Sequence, residues 1–278
     1  MKKILFTALL ALFTVSAVLA QGAKTDSAFK PKGRVSSYTQ TDYSVTLKFG
    51  DPYRTVTAKN VHIFGADGLE QEINSYNSKN ELLSKATFIY DVSRNLTEIS
   101  IADASGALLT RTAFEYNTDG TVKSESEYNS AAKLCGKTIY KYEGTKKTES
   151  YYDGNGALLS RIITVMEGNL PVEVADYYGD GSLSNKEVFS YDTNGRLNQT
   201  TVYKEDGTVS SKKIYRYDAN GVITELRTYD PQDVLIQRDV YKSDSNGNPV
   251  RISVYEISNK FGGTSNELLT ITDFQYKY

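Results

Sequence analysis

A chain of 278 residues with 32 Lys+Arg against 34 Asp+Glu carries a formal net charge of −2, which gives no support to nucleic-acid binding. One Cys and one His exclude an intrachain disulfide and any metal site built from several such residues. The aromatic content is skewed: 22 Tyr and 10 Phe, but no Trp.

The N-terminus reads as an export signal. Lys2 and Lys3 precede an apolar run from Ile4 to Ala20, broken only by Thr7, Thr14 and Ser16. Val18 and Ala20 fit the small-residue pattern of a signal-peptidase site, which predicts a signal peptide over 1–20. No other segment approaches the ~20 apolar residues of a spanning helix. The expectation is an exported chain, periplasmic or cell-surface/secreted, with no membrane span after cleavage. Residues 21–33 read as a flexible lead-in and 34–63 as a strand-rich N-terminal cap. Residues 64–278 read as a repeat domain.

The repeat is visible as two interleaved columns. Phe64, Tyr90, Tyr116, Tyr142, Met166, Tyr191, Tyr217 and Tyr241 form one. Tyr76, Ala102, Tyr128, Tyr152, Tyr178, Tyr203, Tyr229 and Tyr255 form the other, half a period away. The unit is about 25 residues, divided into two halves of turn plus strand. The turns are polar and close on glycine, as in Asn117-Thr-Asp-Gly120 and Asp218-Ala-Asn-Gly221. Such runs supply the positive φ that a bulged type I or a primed turn requires. Period-2 alternation follows each turn, and no window carries a 3.6-residue stripe. The segment Met166–Pro171 is the one irregular unit, read as a bulge or edge defect because Pro removes a ladder donor.

The recurring Tyr-Asp-x-x-Gly steps, Tyr191-Asp192…Gly195 and Tyr217-Asp218…Gly221, resemble the YD repeats of RHS-like proteins over roughly residues 60–260. That resemblance implies tandem β-hairpins in a long, spiralling antiparallel sheet. MORN-type repeats are a weaker second resemblance. The expected fold is all-β: an elongated, twisted antiparallel meander of tandem hairpins, with a parallel β-solenoid as the alternative. An outer-membrane barrel is suggested by Phe274-x-Tyr276-x-Tyr278. Strands such as 121–128 cannot give it a continuous apolar belt.

Charge follows the repeat too. Lys85, Arg111, Lys137, Arg161, Lys186, Lys212 and Arg238 form a basic column. Glu72, Glu98, Glu125, Glu149, Glu173, Gln199 and Glu225 form a mostly acidic one. Opposite charges on neighbouring strands stabilise a sheet and discourage edge association; the basic row, alternatively, meets a polyanion. Together with Tyr116, Tyr142, Tyr191 and Tyr217 the basic residues make the candidate binding surface, whose aromatic part suits sugar rings or peptide. No G-x-S-x-G, P-loop or full calcium loop occurs, so neither catalysis nor a cofactor or metal is expected. The functional expectation is a non-catalytic exported protein that binds a macromolecular partner: a glycan, an envelope component or a protein. The alternative is a structural or toxin-immunity-type module acting by protein pairing. A third possibility is an enzyme with an unrecognised carboxylate site.

Overall fold

The computed structural model describes residues 30–48, 51–260 and 263–278. The expected signal peptide, and the lead-in up to residue 29, lie outside them. Eighteen strands follow one another. They begin with β1 (Ser37–Lys48), β2 (Asp51–Phe64), β3 (Glu70–Tyr76), β4 (Leu82–Tyr90), β5 (Leu96–Asp103) and β6 (Leu108–Tyr116). Next come β7 (Val122–Asn129), β8 (Leu134–Glu143), β9 (Lys146–Asp153), β10 (Leu158–Glu167), β11 (Leu170–Tyr178) and β12 (Leu183–Tyr191). The last are β13 (Leu197–Lys204), β14 (Val209–Tyr217), β15 (Ile223–Tyr229), β16 (Leu235–Ser243), β17 (Pro249–Lys260) and β18 (Gly263–Lys277).

Each strand pairs antiparallel with the next, and β1 pairs with β18, Ser37 to Ser44 against Lys277 to Thr270. The sheet is therefore a closed barrel. The open, elongated meander expected from the sequence is wrong, and so is the parallel solenoid. The physical reason is the edges. An open ribbon leaves two strands with unpaired N–H and C=O groups, and only full closure removes both. Sheet twist carries the first and last strands toward each other. The repeat, which is local, contains no record of that meeting. Residues 34–63 supply β1 and β2, two staves of the same ring.

Side-chain exposure identifies the two faces of the wall. In β4, β6, β10 and β16, Ala86, Phe114, Thr164, Asp239 and Tyr241 are buried while Leu83, Ile89, Leu109, Leu159 and Ile236 at alternate positions are exposed; on the more exposed parity Ser124, Ala175, Thr201 and Glu225 are buried too, under their neighbours. The sheltered face is the concave, inward one. No two non-neighbouring strands bring Cα atoms within 8 Å of each other among the described residues, so the wall is one sheet thick.

The commonest hairpin turn is the bulged type I. In Asp103-Ala-Ser-Gly106, Gly106 N–H donates to Asp103 O, and Asp103 Oδ1 accepts from the N–H groups of Ser105 and Ala107. This is why the turns begin with Asp or Asn and end on a residue of positive φ. The irregular unit expected at Met166–Pro171 is a two-residue turn, Glu167 pairing with Leu170 around Gly168 at φ 59.

The bulges explain the first tyrosine column. At one end of the barrel every hairpin except β8–β9 shifts register where it leaves the turn, as between Ile89 and Tyr90 opposite Leu96. The carbonyl at that shift is taken by a hydroxyl from the next hairpin. Tyr116 donates to Leu96 O at 2.7 Å, Tyr217 to Leu197 O at 2.8 Å, Tyr191 to Pro171 O at 2.6 Å and Tyr90 to Glu70 O at 2.8 Å. Each bond staples a strand to one twenty residues earlier.

The chain ends are locked at the same rim. Asn248, 0% exposed, accepts from Lys32 N–H at 2.6 Å and donates to Lys32 O at 3.0 Å, across 216 residues. Its side-chain nitrogen also lies 3.3 Å from the Tyr278 hydroxyl, which donates to Asp244 at 2.7 Å. Asn248→Ala leaves a buried backbone donor and acceptor unpaired, and is expected to lower unfolding free energy by about 1–3 kcal/mol in urea titration. Tyr217→Phe, which removes one staple, is expected to cost about 1 kcal/mol; Tyr229→Phe, outside this column, serves as the comparison.

Candidate functional site

The structure divides the candidate residues between the two faces. The seven cations lie outward in one oblique row. Each sits directly opposite a residue of the following strand: Arg111 faces Tyr128, Lys137 faces Tyr152, Arg161 faces Tyr177, Lys186 faces Tyr203, Lys212 faces Tyr229 and Arg238 faces Tyr255. Lys85 faces Ala102, where the column lacks its ring. The outer wall therefore carries an alternating spiral of cations and tyrosines. Some pairs are in contact: Arg111 lies 4.6 Å from the ring centre of Tyr128 and Lys186 5.2 Å from that of Tyr203.

Acidic partners sit thirteen residues earlier on the preceding strand. Lys85 meets Glu72 at 2.7 Å, Arg111 meets Glu98 at 3.1 Å, Lys186 meets Glu173 at 3.5 Å and Arg238 meets Glu225 at 2.5 Å. Partial burial pushes the Glu72 carboxyl up, but the Lys85 and Asn74 hydrogen bonds hold it below its ordinary range. Lys212 instead reaches the turn residue Asp233 at 2.5 Å.

Tyr116, Tyr142, Tyr191 and Tyr217 are on the inward face and do not join that spiral. Three of them are the staples above. Glu125 and Glu149 also leave the acidic column. Their 26-residue register is 72, 98, 124, so the outward positions are Ser124 and Thr148, and the two glutamates point inward.

There they form a cluster that sequence reasoning missed. Tyr140 donates to Glu125, Lys147 pairs with Glu149 at 2.9 Å, and the Lys147 ammonium lies 5.3 Å from the Tyr140 ring centre. Glu127 is next to this group and accepts from Tyr151. Counting residues from each turn, rather than aligning acids by type, is the signal that separates Glu125 from Glu98. Elsewhere on this face acids are held by neutral donors: Asp176 by Asn185, Asp239 by Gln237 and Asp42 by Gln40 and Thr272. Burial pushes the Glu125, Glu127 and Asp239 carboxyls up, and their hydrogen bonds offset this only in part.

At the closing seam His62 stacks on Tyr38 with ring centres 4.2 Å apart and meets Glu70 at 2.6 Å. Tyr38 is 3% exposed and also contacts Tyr276 of β18. These groups pack the junction of first and last strands. No group of three or more His, Cys, Asp or Glu able to hold a metal occurs among the described residues.

No family model matches the chain, and no curated protein does. Solved structures do. A porin-like protein from Bacteroides uniformis shares 12% identity over 89% of this chain and 99% of its own, with a TM-score of 0.48. A porin-like protein from Bacteroides vulgatus shares 13% over 88% of this chain and 99% of its own, with a TM-score of 0.35. A TcdB2-TccC3-TEV structure matches 82% of this chain but 19% of its own, at 12% identity and a TM-score of 0.20. Likenesses this distant say nothing about what this chain binds. The assignments to YD-repeat (RHS-like) and MORN-type hairpin-repeat proteins are not supported: no such family model matches. The Tyr-Asp-x-x-Gly step is a turn signal with a staple attached, and short turn chemistry recurs wherever hairpins do.

The two classes of carboxyl have opposite effects on stability. Glu125, Glu127 and Asp239 have raised folded pKa values, so stability rises as pH falls through those values and levels off near the unfolded value of about 4. Asp103, Asp119, Asp180 and Asp206 are held low, first by the Ser or Thr hydroxyl two residues on. Their contribution is present above about 4 and is lost as pH falls through their folded values. Unfolding free energy measured in urea from pH 7 downward is therefore expected to pass through a maximum in mild acid. Glu127→Gln, which keeps a hydrogen-bond partner for Tyr151, is expected to flatten the rise between neutral pH and that maximum.

Proposed function

We propose that this is an exported, non-catalytic barrel of the bacterial envelope that works by binding an extended macromolecular partner along its outer wall. The observation that carries this reading is the outward spiral of alternating cations and tyrosines. It runs from strand to strand around the ring, and a polymer could follow it. The apolar N-terminal run and the porin-like neighbours are consistent with an envelope location.

The same wall argues against immersion in lipid. Among the described residues no helix is long and apolar enough to cross a membrane, which says nothing about strands. The strands, however, carry Lys85, Arg111, Lys137, Arg161, Lys186, Lys212 and Arg238 outward, together with Glu72, Glu98, Glu173 and Glu225. A lysine or arginine facing lipid at mid-depth costs about 2–4 kcal/mol, and this wall would place several there. Catalysis gains nothing from the arrangement, because the charged groups repeat around the ring and do not converge in one pocket.

A photoreactive amino acid in place of the exposed, outward Leu109 tests the reading in intact cells. The expected result is a crosslinked species of higher mass. The same probe at inward Thr138 should give none. Adducts from Thr138 alone, or from neither position, overturn the proposal.

A further inference from the structure

The outward row is not uniform. Lys137 and Arg161 are the two of its seven cations with no carboxylate within 4.0 Å among the described residues. The cause is visible in the repeat. The position thirteen residues before the cation holds Glu72, Glu98, Glu173 and Glu225 for four of the paired cations and Gln199 for Lys212, which takes Asp233 from a turn instead; it holds Ser124 for Lys137 and Thr148 for Arg161, which have no such substitute. Glu115 acts on Lys137 only from a distance, and is itself engaged by Lys123 at 3.3 Å and by Ser124. Lys146 is exposed on the same wall and has no ion-pair partner among the described residues.

Arg111 covers Tyr128 and Lys186 covers Tyr203, whereas among the described residues the faces of Tyr152 and Tyr177, like those of Tyr229 and Tyr255 further along the row, carry no cation. Tyr152 and Ser150 of β9 lie between the two unpaired cations, Tyr152 opposite Lys137 and Ser150 opposite Arg161. Strand geometry puts the two cations two strands and two residues apart, about 12 Å, with a tyrosine in between.

From this gap in the acidic column we infer an anion-binding site on the outer wall of β8–β10, with an acidic polysaccharide as its ligand. Cations at fixed spacing with no carboxylate beside them are complementary to a partner with regularly placed negative charge. Bare tyrosine faces between them suit the apolar faces of sugar rings, and the Ser126, Thr148 and Ser150 hydroxyls supply hydrogen-bond partners for sugar hydroxyls. An acidic peptide would satisfy the cations but gives no reason for the alternating bare rings. The inference rests on the outer-wall reading above and deepens it.

The experiment measures binding of the purified full barrel to heparin, polygalacturonate, poly-glutamate and neutral dextran. Affinity electrophoresis at two salt concentrations is the readout. Expected is binding to an acidic polysaccharide that weakens with salt, with none to dextran and at least tenfold weaker binding to poly-glutamate. Lys137→Ala with Arg161→Ala should weaken it tenfold or more. Lys79→Ala with Lys204→Ala, which removes two exposed cations outside the row, should change it by less than about threefold. Thr148→Glu installs the acid found at this position in four of the other units; it should weaken binding while both cations remain, which separates the site from any folding defect. Cys135, exposed two residues from Lys137, is the single thiol of the chain and gives an independent readout: bound polysaccharide should slow its labelling by maleimide.

Equal binding to poly-glutamate overturns the ligand class. Equal losses in the two double variants overturn the site. No binding to either acidic polysaccharide overturns the inference as a whole, while crosslinking from Leu109 would still support the outer-wall reading.

Discussion

Closure of the ring through β1 and β18 is the constraint on which the rest of the structure depends. Without it the sheet has two edges, and each of the seventeen hairpin contacts along the chain is only as secure as its neighbours. With it every stave has a partner on both sides, and a sense of inside and outside exists at all. The groups that hold the junction are ones the repeat does not contain. Asn248 grips the backbone of Lys32, Tyr278 reaches Asp244, and His62 stacks on Tyr38 against Tyr276. Burial of the Tyr38 ring and hydroxyl at this seam is deep enough to push its ionisation well above the ordinary phenol range, with Glu70 and Tyr276 adding to the effect.

A second device makes each unit rigid enough to be placed by closure. A bulged turn shifts register and presents a carbonyl, and a tyrosine from the next hairpin caps it. The staple links neighbouring hairpins in the direction in which an antiparallel meander would otherwise flex. Period-2 side-chain alternation then sorts everything else. One parity faces inward and contains Phe114, Tyr140, Thr200 and Leu226, with acids held by amides and hydroxyls. The other faces outward and contains the cation–tyrosine spiral.

That sorting also sets the chemistry of the outer wall. A uniform row of ion pairs would be a solvated surface whose members are each worth about 0–1 kcal/mol. The row departs from its own pattern at Ser124 and Thr148, where, among the described residues, Lys137 and Arg161 lack a carboxylate partner and the shifted glutamates turn inward to a different environment.

The sequence alone determined what depends on near neighbours. Strand content, antiparallel hairpins at half-unit spacing, turns begun by Asp or Asn, and the basic column are all consequences of a few adjacent residues, and all can be read from residues 60–260. Parity within a strand was legible in principle, since Glu125 is one position out of the register set by Glu72 and Glu98. Two things were decided only by the tertiary structure. One is that the meander closes, because the pairing of Ser37 with Lys277 joins residues that no local pattern relates. The other is which parity faces the lumen. An alternating strand has two equivalent faces until the sheet curves, and only closure fixes the direction of curvature.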